Sequence, residues 1–376
     1  MKKNRKMTII KNEEESNIEY KGNGKTKKFI VYILSIIVIA IGMYSIISKY
    51  KGANLSKDSL IKEKTGFLLG TVVQIKFPES QPVRLFDDVF VLLKEIENDM
   101  SINIEDSEVI RINKSAGKSY VKVSPETYYV IERGKYYSEL SEGRFDISIG
   151  PLVKLWGIGT NAPKVPTQVE IEKELSKVDY TNILLNESDK SIMLAKEGMI
   201  IDLGGIAKGY AADVVADYLK SKDIHNAIID LGGNILALGG NGKADFWNIG
   251  LQNPFEARNK HLGILKVKDK TIVTSGVYER NFTEKGKTYH HILDPFTGYP
   301  VENSLMSVSI IADKSIDADG LSTTVFALGL EKGAEIIKSL DGVDAIFVDK
   351  AKNVYITEDI KNSLTITNDE FTVKDI

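Results

Sequence analysis

Cysteine is absent from the 376-residue chain. That excludes disulfides, thiolate zinc sites, iron–sulfur clusters, a cysteine nucleophile and lipid attachment through an N-terminal cysteine. Histidine is nearly as scarce: His225, His261, His290 and His291 are the only four, too few for a histidine-rich metal cage. Neither sign of charge prevails, since 49 Lys and Arg against 52 Asp and Glu leave a net charge of −3. No basic surplus points to nucleic acid as a partner. With 43% hydrophobic and 27% charged residues, the composition excludes collagen, low-complexity disorder and an all-membrane transporter. The common nucleotide and calcium motifs are also missing. A Walker loop fails because Gly242-Lys243 is followed by Ala244 and Ala237 stands where its first glycine belongs. Gly204 to Gly209 does not fit the Rossmann glycine fingerprint. A calcium loop on Asp317 and Asp319 would put Phe326 where a bidentate glutamate is needed.

Against that average, one long apolar run stands out. Phe29 to Ser48 is 20 residues without a charge, about 30 Å as a helix and long enough to cross a bilayer's hydrocarbon core. A buried core helix would keep a polar face, and here only Ser35, Gly42, Ser45 and Ser48 interrupt the apolar surface. A cleaved leader has a shorter apolar region ending in a small-residue site, whereas this run leads into Lys49-Tyr50-Lys51. The expectation is an uncleaved single-pass anchor. Lys/Arg counts in the nearest 20 residues tie across it, so local charge does not set its orientation. The basic tail as a whole favours a cytoplasmic segment 1–28, an anchor 29–48, a Lys-rich linker 49–64 and an extracytoplasmic domain beyond.

From Thr65 the chain reads as globular. Thr71 to Phe77 alternates with period two, placing Val73, Ile75 and Phe77 on one strand face, and Val83 to Met100 has helical spacing. Ser124-Pro125 caps and opens a helix expected to run to Gly143. Further strands are expected at Met199–Asp202, Ile228–Asp230, Ile264–Val267, Ile272–Thr274, Ser307–Ile311 and Ala345–Val348. Helices are expected at Ala207–Lys220, Asp319–Leu328 and Lys332–Leu340. This mixed order predicts an α+β fold rather than a doubly wound sheet. Ile-Ile-Asp-Leu-Gly-Gly occurs at 200–205 and again at 228–233. With no third copy it is read as two strand-to-glycine turns with similar backbone geometry, not a repeat.

Three polar segments carry candidate chemistry. Asp202 to Tyr210 sets a carboxylate and two glycines before a helix N-terminus, with Lys208 in the first turn, an arrangement that favours phosphate. Read alone, the segment is more often a glycine turn with a solvated Asp and Lys. Asp313, Asp317, Asp319, Ser322 and Thr323 crowd a second helix start, either as caps answering the helix dipole or as a hard-oxygen Mg2+ site. Asp319 and Thr323 are four apart and share a face. The third segment, Thr274 to Phe282 and then Gly286 to Pro300, holds the adjacent His290 and His291. In a strand they point to opposite faces, so one of them at most meets a given pocket.

Taken in order along the chain, these segments resemble the ApbE-type FAD:protein FMN transferases. The series is Leu69-Gly70-Thr71, Met100-Ser101 through Asn113, Gly143 to Val153, Leu155-Trp156-Gly157, Asp202 to Tyr210, Gly232-Gly233-Asn234, Thr274-Ser275-Gly276, His290 to Gly298 and Ala318 to Thr323. The resemblance implies a single ApbE-type, T-fold-like catalytic domain over residues 65–360, behind the transmembrane helix and followed by a tail, 361–376. It implies Mg2+-assisted transfer of FMN from FAD to a threonine hydroxyl of an exported or membrane redox protein, releasing AMP. The implied metal ligands are Gly205 through its carbonyl, Asp319 and Thr323, with Ser322 nearby. The implied FAD contacts are Leu69, Arg144, Phe145, Asp146, Asp202, Lys208 and Leu293. His291 and Asp319 are the catalytic candidates, His291 as base or as charge stabiliser. Leu69 stands where the family usually has Met, and Asn103 where many relatives have an aromatic. Hydrolysis of FAD by water, and flavin binding without catalysis, are the competing functions.

Overall fold

Period-two alternation builds the central sheet. In Thr71–Pro78, Val73, Ile75 and Phe77 are wholly buried, as their spacing predicts. The computed structural model describes residues 61–78 and 80–376. The basic tail, the expected membrane span 29–48 and the linker up to residue 60 lie outside the described residues. Among the described residues no helix is long and apolar enough to cross a membrane.

Nine strands form the main sheet, and their spatial order is their chain order: Ile61–Leu68, Thr71–Pro78, Ala227–Leu231, Asn234–Leu238, Lys270–Gly276, Leu305–Ala312, Asp344–Asp349, Asn353–Ile356 and Thr372–Asp375. All neighbours are antiparallel except the last pair. The helices between residues 84 and 221 form one long insertion between the second and third strands. Both faces are covered. Val273, Ile310 and Phe347 point into the helical core, whereas Ile272, Ile311, Ile346 and Val348 point the other way. There they meet a small sheet of Trp247–Gln252, His261–Val267 and Leu364–Ile366. Burial on both sides explains why these strands read as nearly continuous apolar runs.

The structure departs from the sequence reading in four places. Met199–Asp202 is no strand: Ile200 makes one lone parallel bridge to Ile149. The Asp202 carboxylate accepts the Gly204 N–H at 2.8 Å and turns the chain before a ladder extends. The helix expected from Asp319 begins at Ser315 instead. The linker ends early, because Ile61–Leu68 already pairs along Thr71–Pro78; none of its side chains is fully buried, so no apolar alternation marks it. Residues 361–376 are not a tail: Leu364–Ile366 pairs with His261–Val267, Thr372–Asp375 pairs with Asn353–Ile356, and Phe371 is buried.

The shifted helix start has a specific cause. Neither Ala207–Ser221 nor Ser315–Leu328 is capped by its own flanking side chain. Each borrows a cap from the other. Asp213 accepts the Ser315 and Ile316 N–H groups at 2.8 and 3.0 Å, and Asp319 accepts the Gly209 N–H at 2.9 Å. Both carboxylates therefore answer the positive N-terminus of the opposite helix. The helices approach so closely that a Cβ at position 209 would run into the Ser315 carbonyl oxygen, which explains Gly209. Asp213→Ala leaves two buried N–H groups without acceptors and is expected to cost about 2–4 kcal/mol. Asp313→Ala removes only an exposed ion pair with Lys270 and is expected to cost less than about 1 kcal/mol. Urea denaturation followed by tryptophan fluorescence separates the two.

Candidate active site

The helix pairing carries the glycine turn onto the second acidic segment. Lys208, in the first turn of the 207–221 helix, places its Nζ 3.3 Å from the Gly204 carbonyl and 3.3 and 3.4 Å from the two Asp319 oxygens. Gly205 lies against the Ser315–Leu328 helix, where a Cβ would sit 3.7 Å from Thr323 Oγ1 and 3.0 Å from the Phe145 ring. Ser322 is wholly buried; it donates to the Asp319 carbonyl at 2.9 Å and shares a 2.8 Å hydrogen bond with Ser275. Ser275 also reaches Thr323 Oγ1 at 3.3 Å, so the Lys270–Gly276 strand closes one side of the site. Among the described residues no three His, Cys, Asp or Glu side chains converge as metal ligands. The oxygens gathered around Lys208 and Gly205 are those of one carboxylate, a hydroxyl and a backbone carbonyl. The other acidic residues face elsewhere: Asp313 pairs with Lys270, and Asp317 binds Arg133 at 2.6 Å and the Tyr137 hydroxyl at 2.8 Å.

The strand Lys287–His290 ends at the first of the two adjacent histidines, and the bend at His291 sends the second elsewhere. His290 is buried, with Nε2 2.9 Å from the Val301 carbonyl and Nδ1 accepting the Ile292 N–H at 3.3 Å. Both of its nitrogens serve the fold. His291 turns the other way, and its backbone N–H and Nδ1 meet the Arg280 carbonyl at 3.1 and 3.2 Å. A carbonyl only accepts, so Nδ1 holds the proton and Nε2 keeps a free lone pair. Burial, and then the Arg280 guanidinium and neighbouring His290 and Lys208, press the His291 pKa down to about 4. The ring is neutral at pH 7.

Arg280 links this histidine to the first hairpin. Its guanidinium donates to the Gly70 carbonyl at 3.1 Å, and the Leu69 N–H donates to Glu97 at 2.8 Å. Leu69 and Gly70 both have positive φ, +54° and +67°, the geometry of a two-residue hairpin turn. Burial raises the Asp202 carboxyl, opposed by the Gly204 N–H and by the cations Arg280, Lys154 and Lys208. These three cations form a positive neighbourhood beside the glycine turn.

The ApbE family model matches residues 69–347, a span that contains every site residue described above. The chain belongs to the ApbE family. It is 38% identical over 300 residues to the FAD:protein FMN transferase of Klebsiella pneumoniae strain 342, covering 80% of this chain and 93% of that protein. It is 34% identical to the FAD:protein FMN transferase of Treponema pallidum, covering 82% and 90%. Among solved structures, the ApbE protein of Thermotoga maritima superposes with a TM-score of 0.74 at 33% identity, covering 81% of this chain and 99% of that one. The flavin transferase ApbE of Vibrio cholerae gives 0.72 at 29% identity, covering 81% and 99%.

Within this ApbE domain the expected residues fall into two groups. Asp202, Gly205, Lys208, His291, Asp319 and Thr323 share one neighbourhood, with Phe145 packed on Gly205 and Ser322 bracing it from behind. The others are held by the fold. Asp146 accepts the Ser148 N–H and hydroxyl, both at 2.7 Å, and the Tyr180 N–H at 3.0 Å, while burial pushes its pKa up to about 6. Leu293 belongs to a small core with Leu152, Trp156 and Ile171. Arg144 donates to Asp294 at 3.1 Å and lies over the Phe296 ring. Sequence reading passed over Arg280, Ser275, Lys154 and Glu97. Arg280 and Ser275 stand inside a quoted segment, whereas Glu97 is one carboxylate among several on a helix and carries no local signal.

The depressed His291 pKa gives a signed prediction. Between about pH 6.5 and 4 the unfolded chain binds a proton at this residue that the native chain refuses, so its contribution to stability is lost on acidification through that range. Denaturation midpoints measured from pH 7 to 4 are expected to fall more steeply for the wild type than for His291→Asn.

Proposed function

We propose that this ApbE domain transfers the FMN half of FAD to a threonine hydroxyl of another protein, with Mg2+ as cofactor. Transfer of FMN from FAD to protein is the activity in the names of its relatives. The single observation that carries the reading is the meeting of Lys208, Asp319, Thr323 and the 204–205 turn beside a neutral His291. The donor set fits Mg2+: one carboxylate with hydroxyl and carbonyl oxygens, completed by substrate phosphates, suits a hard cation. The Lys208 ammonium already seated on these oxygens supports a preference for positive charge there. When bound, Mg2+ would be held by Asp319, Thr323 and the Gly205 carbonyl, and would neutralise charge on the diphosphate.

The protein groups then have distinct tasks. Lys208, Arg280 and the N-terminus of the 207–221 helix attract the diphosphate. His291 Nε2 takes the proton of the incoming hydroxyl. The threonine oxygen bonds to the flavin-side phosphorus, the bond from that phosphorus to the bridging oxygen breaks, and AMP leaves with the electron pair. Such displacement depends mainly on positioning and charge neutralisation.

The test is full-length chain in mild detergent with FAD, MgCl2 and a threonine-bearing acceptor protein. Covalent fluorescent flavin on the acceptor is expected, free FMN would indicate hydrolysis, and intact bound FAD a carrier. His291→Gln is expected to lower transfer by about 10²–10⁴-fold while keeping FAD binding. Asp319→Asn is expected to abolish transfer. For residues 29–48 the proposal is a single-pass anchor in the cell membrane with the catalytic domain outside, so that acceptors are exported or membrane redox proteins. Protease added to intact cells is then expected to digest the domain, and full protection would place it inside.

A further inference from the structure

Lys208 contacts the one carboxylate assigned to the divalent cation. Its ammonium bridges the Gly204 carbonyl at 3.3 Å and both Asp319 oxygens at 3.3 and 3.4 Å. The Asp319 side chain is 4% exposed and that of Lys208 24%, so water screens this pair weakly. Asp319 also accepts the Gly209 N–H, which fixes the carboxylate and leaves it unable to swing between two cations. An ammonium and a magnesium ion on one carboxylate repel each other strongly at such distances. One must leave when the other arrives.

We infer that Lys208 is an exchangeable internal counter-ion: it neutralises Asp319 in the metal-free protein and is displaced from both Asp319 oxygens when Mg2+ binds. This rests on the reading of Asp319 as a magnesium ligand. Lys208 is attached near the N-terminal end of its helix, beside Gly204 and near the Asp202 carboxylate. Four flexible methylenes let the head swing without moving the backbone. Mutual exclusion sets the metal affinity below what Asp319 alone would give, because Mg2+ must first release the ammonium. The same release makes a lysine available to a diphosphate only once the metal is in place, which couples the two binding events. Lys208 is in this sense a positioning residue for the cation site, beyond any contact with substrate.

The experiment is isothermal titration of MgCl2 into the full-length chain without FAD, at constant ionic strength, for wild type, Lys208→Met, Lys208→Gln and Asp319→Asn. The two lysine variants are expected to bind Mg2+ at least about tenfold more tightly than wild type, equal to about 1.4 kcal/mol. Affinity unchanged or weakened in both overturns the exchange while leaving the magnesium reading intact. Wild-type affinity retained in Asp319→Asn overturns the magnesium reading and the exchange with it, and no binding in any form overturns the exchange alone. A measurement on the wild type covers misfolding of the variants. Acetic anhydride labelling of Lys208, followed by mass spectrometry, is expected to accelerate several-fold at saturating Mg2+, and an unchanged rate overturns the exchange.

Discussion

Two helices that cannot cap themselves hold the site together. The N-termini of Ala207–Ser221 and Ser315–Leu328 are each completed by an aspartate from the other, Asp319 and Asp213. A helix N-terminus left bare in the interior loses several donors at once, so neither helix is satisfied without its neighbour. This reciprocity fixes their relative position, and Gly209 at the crossing leaves no room for an alternative spacing. The functional consequence is direct. Asp319 is held within reach of Lys208 and the 204–205 turn because it is a cap, and a cap is the last thing the fold can move.

The same carboxylate thus answers a structural and a chemical demand. One oxygen accepts the Gly209 N–H, and both face the Lys208 ammonium. Combining the roles gives rigidity where positioning matters most, since a reacting group held by buried hydrogen bonds needs no reorganisation when charge develops. The histidines show the opposite strategy. His290 commits both nitrogens to Val301 and Ile292, whereas His291 ties only Nδ1 to the Arg280 carbonyl and keeps Nε2 unbound by the protein. Adjacent residues with identical side chains therefore differ in tautomer, surroundings and use.

Arg280 joins parts that are remote in sequence. Its carbonyl orients His291 and its guanidinium holds Gly70 in the first hairpin turn. Glu97 secures the other residue of that turn through the Leu69 N–H. The long insertion between the second and third strands, the first hairpin and the His291 segment are thereby tied together, although none of them carries a complete site.

Much of this was legible in residue order. The period-two burial of Val73, Ile75 and Phe77 and the Ser124 cap are local effects, set by strand pleat and helix-end chemistry within a few residues. The ordered glycine, aspartate and histidine segments likewise sufficed to point to the family, because each turn needs its own residues whatever surrounds it. What the sequence could not contain was partnership across distance. That Asp317 serves Arg133 and Tyr137 while Asp319 faces Lys208, that the helix at Ser315 is capped by Asp213, 102 positions away, and that two short strands after 361 complete two sheets, follow from three-dimensional packing alone. Capping, pairing and desolvation are properties of neighbours in space, and only the folded chain decides who those neighbours are.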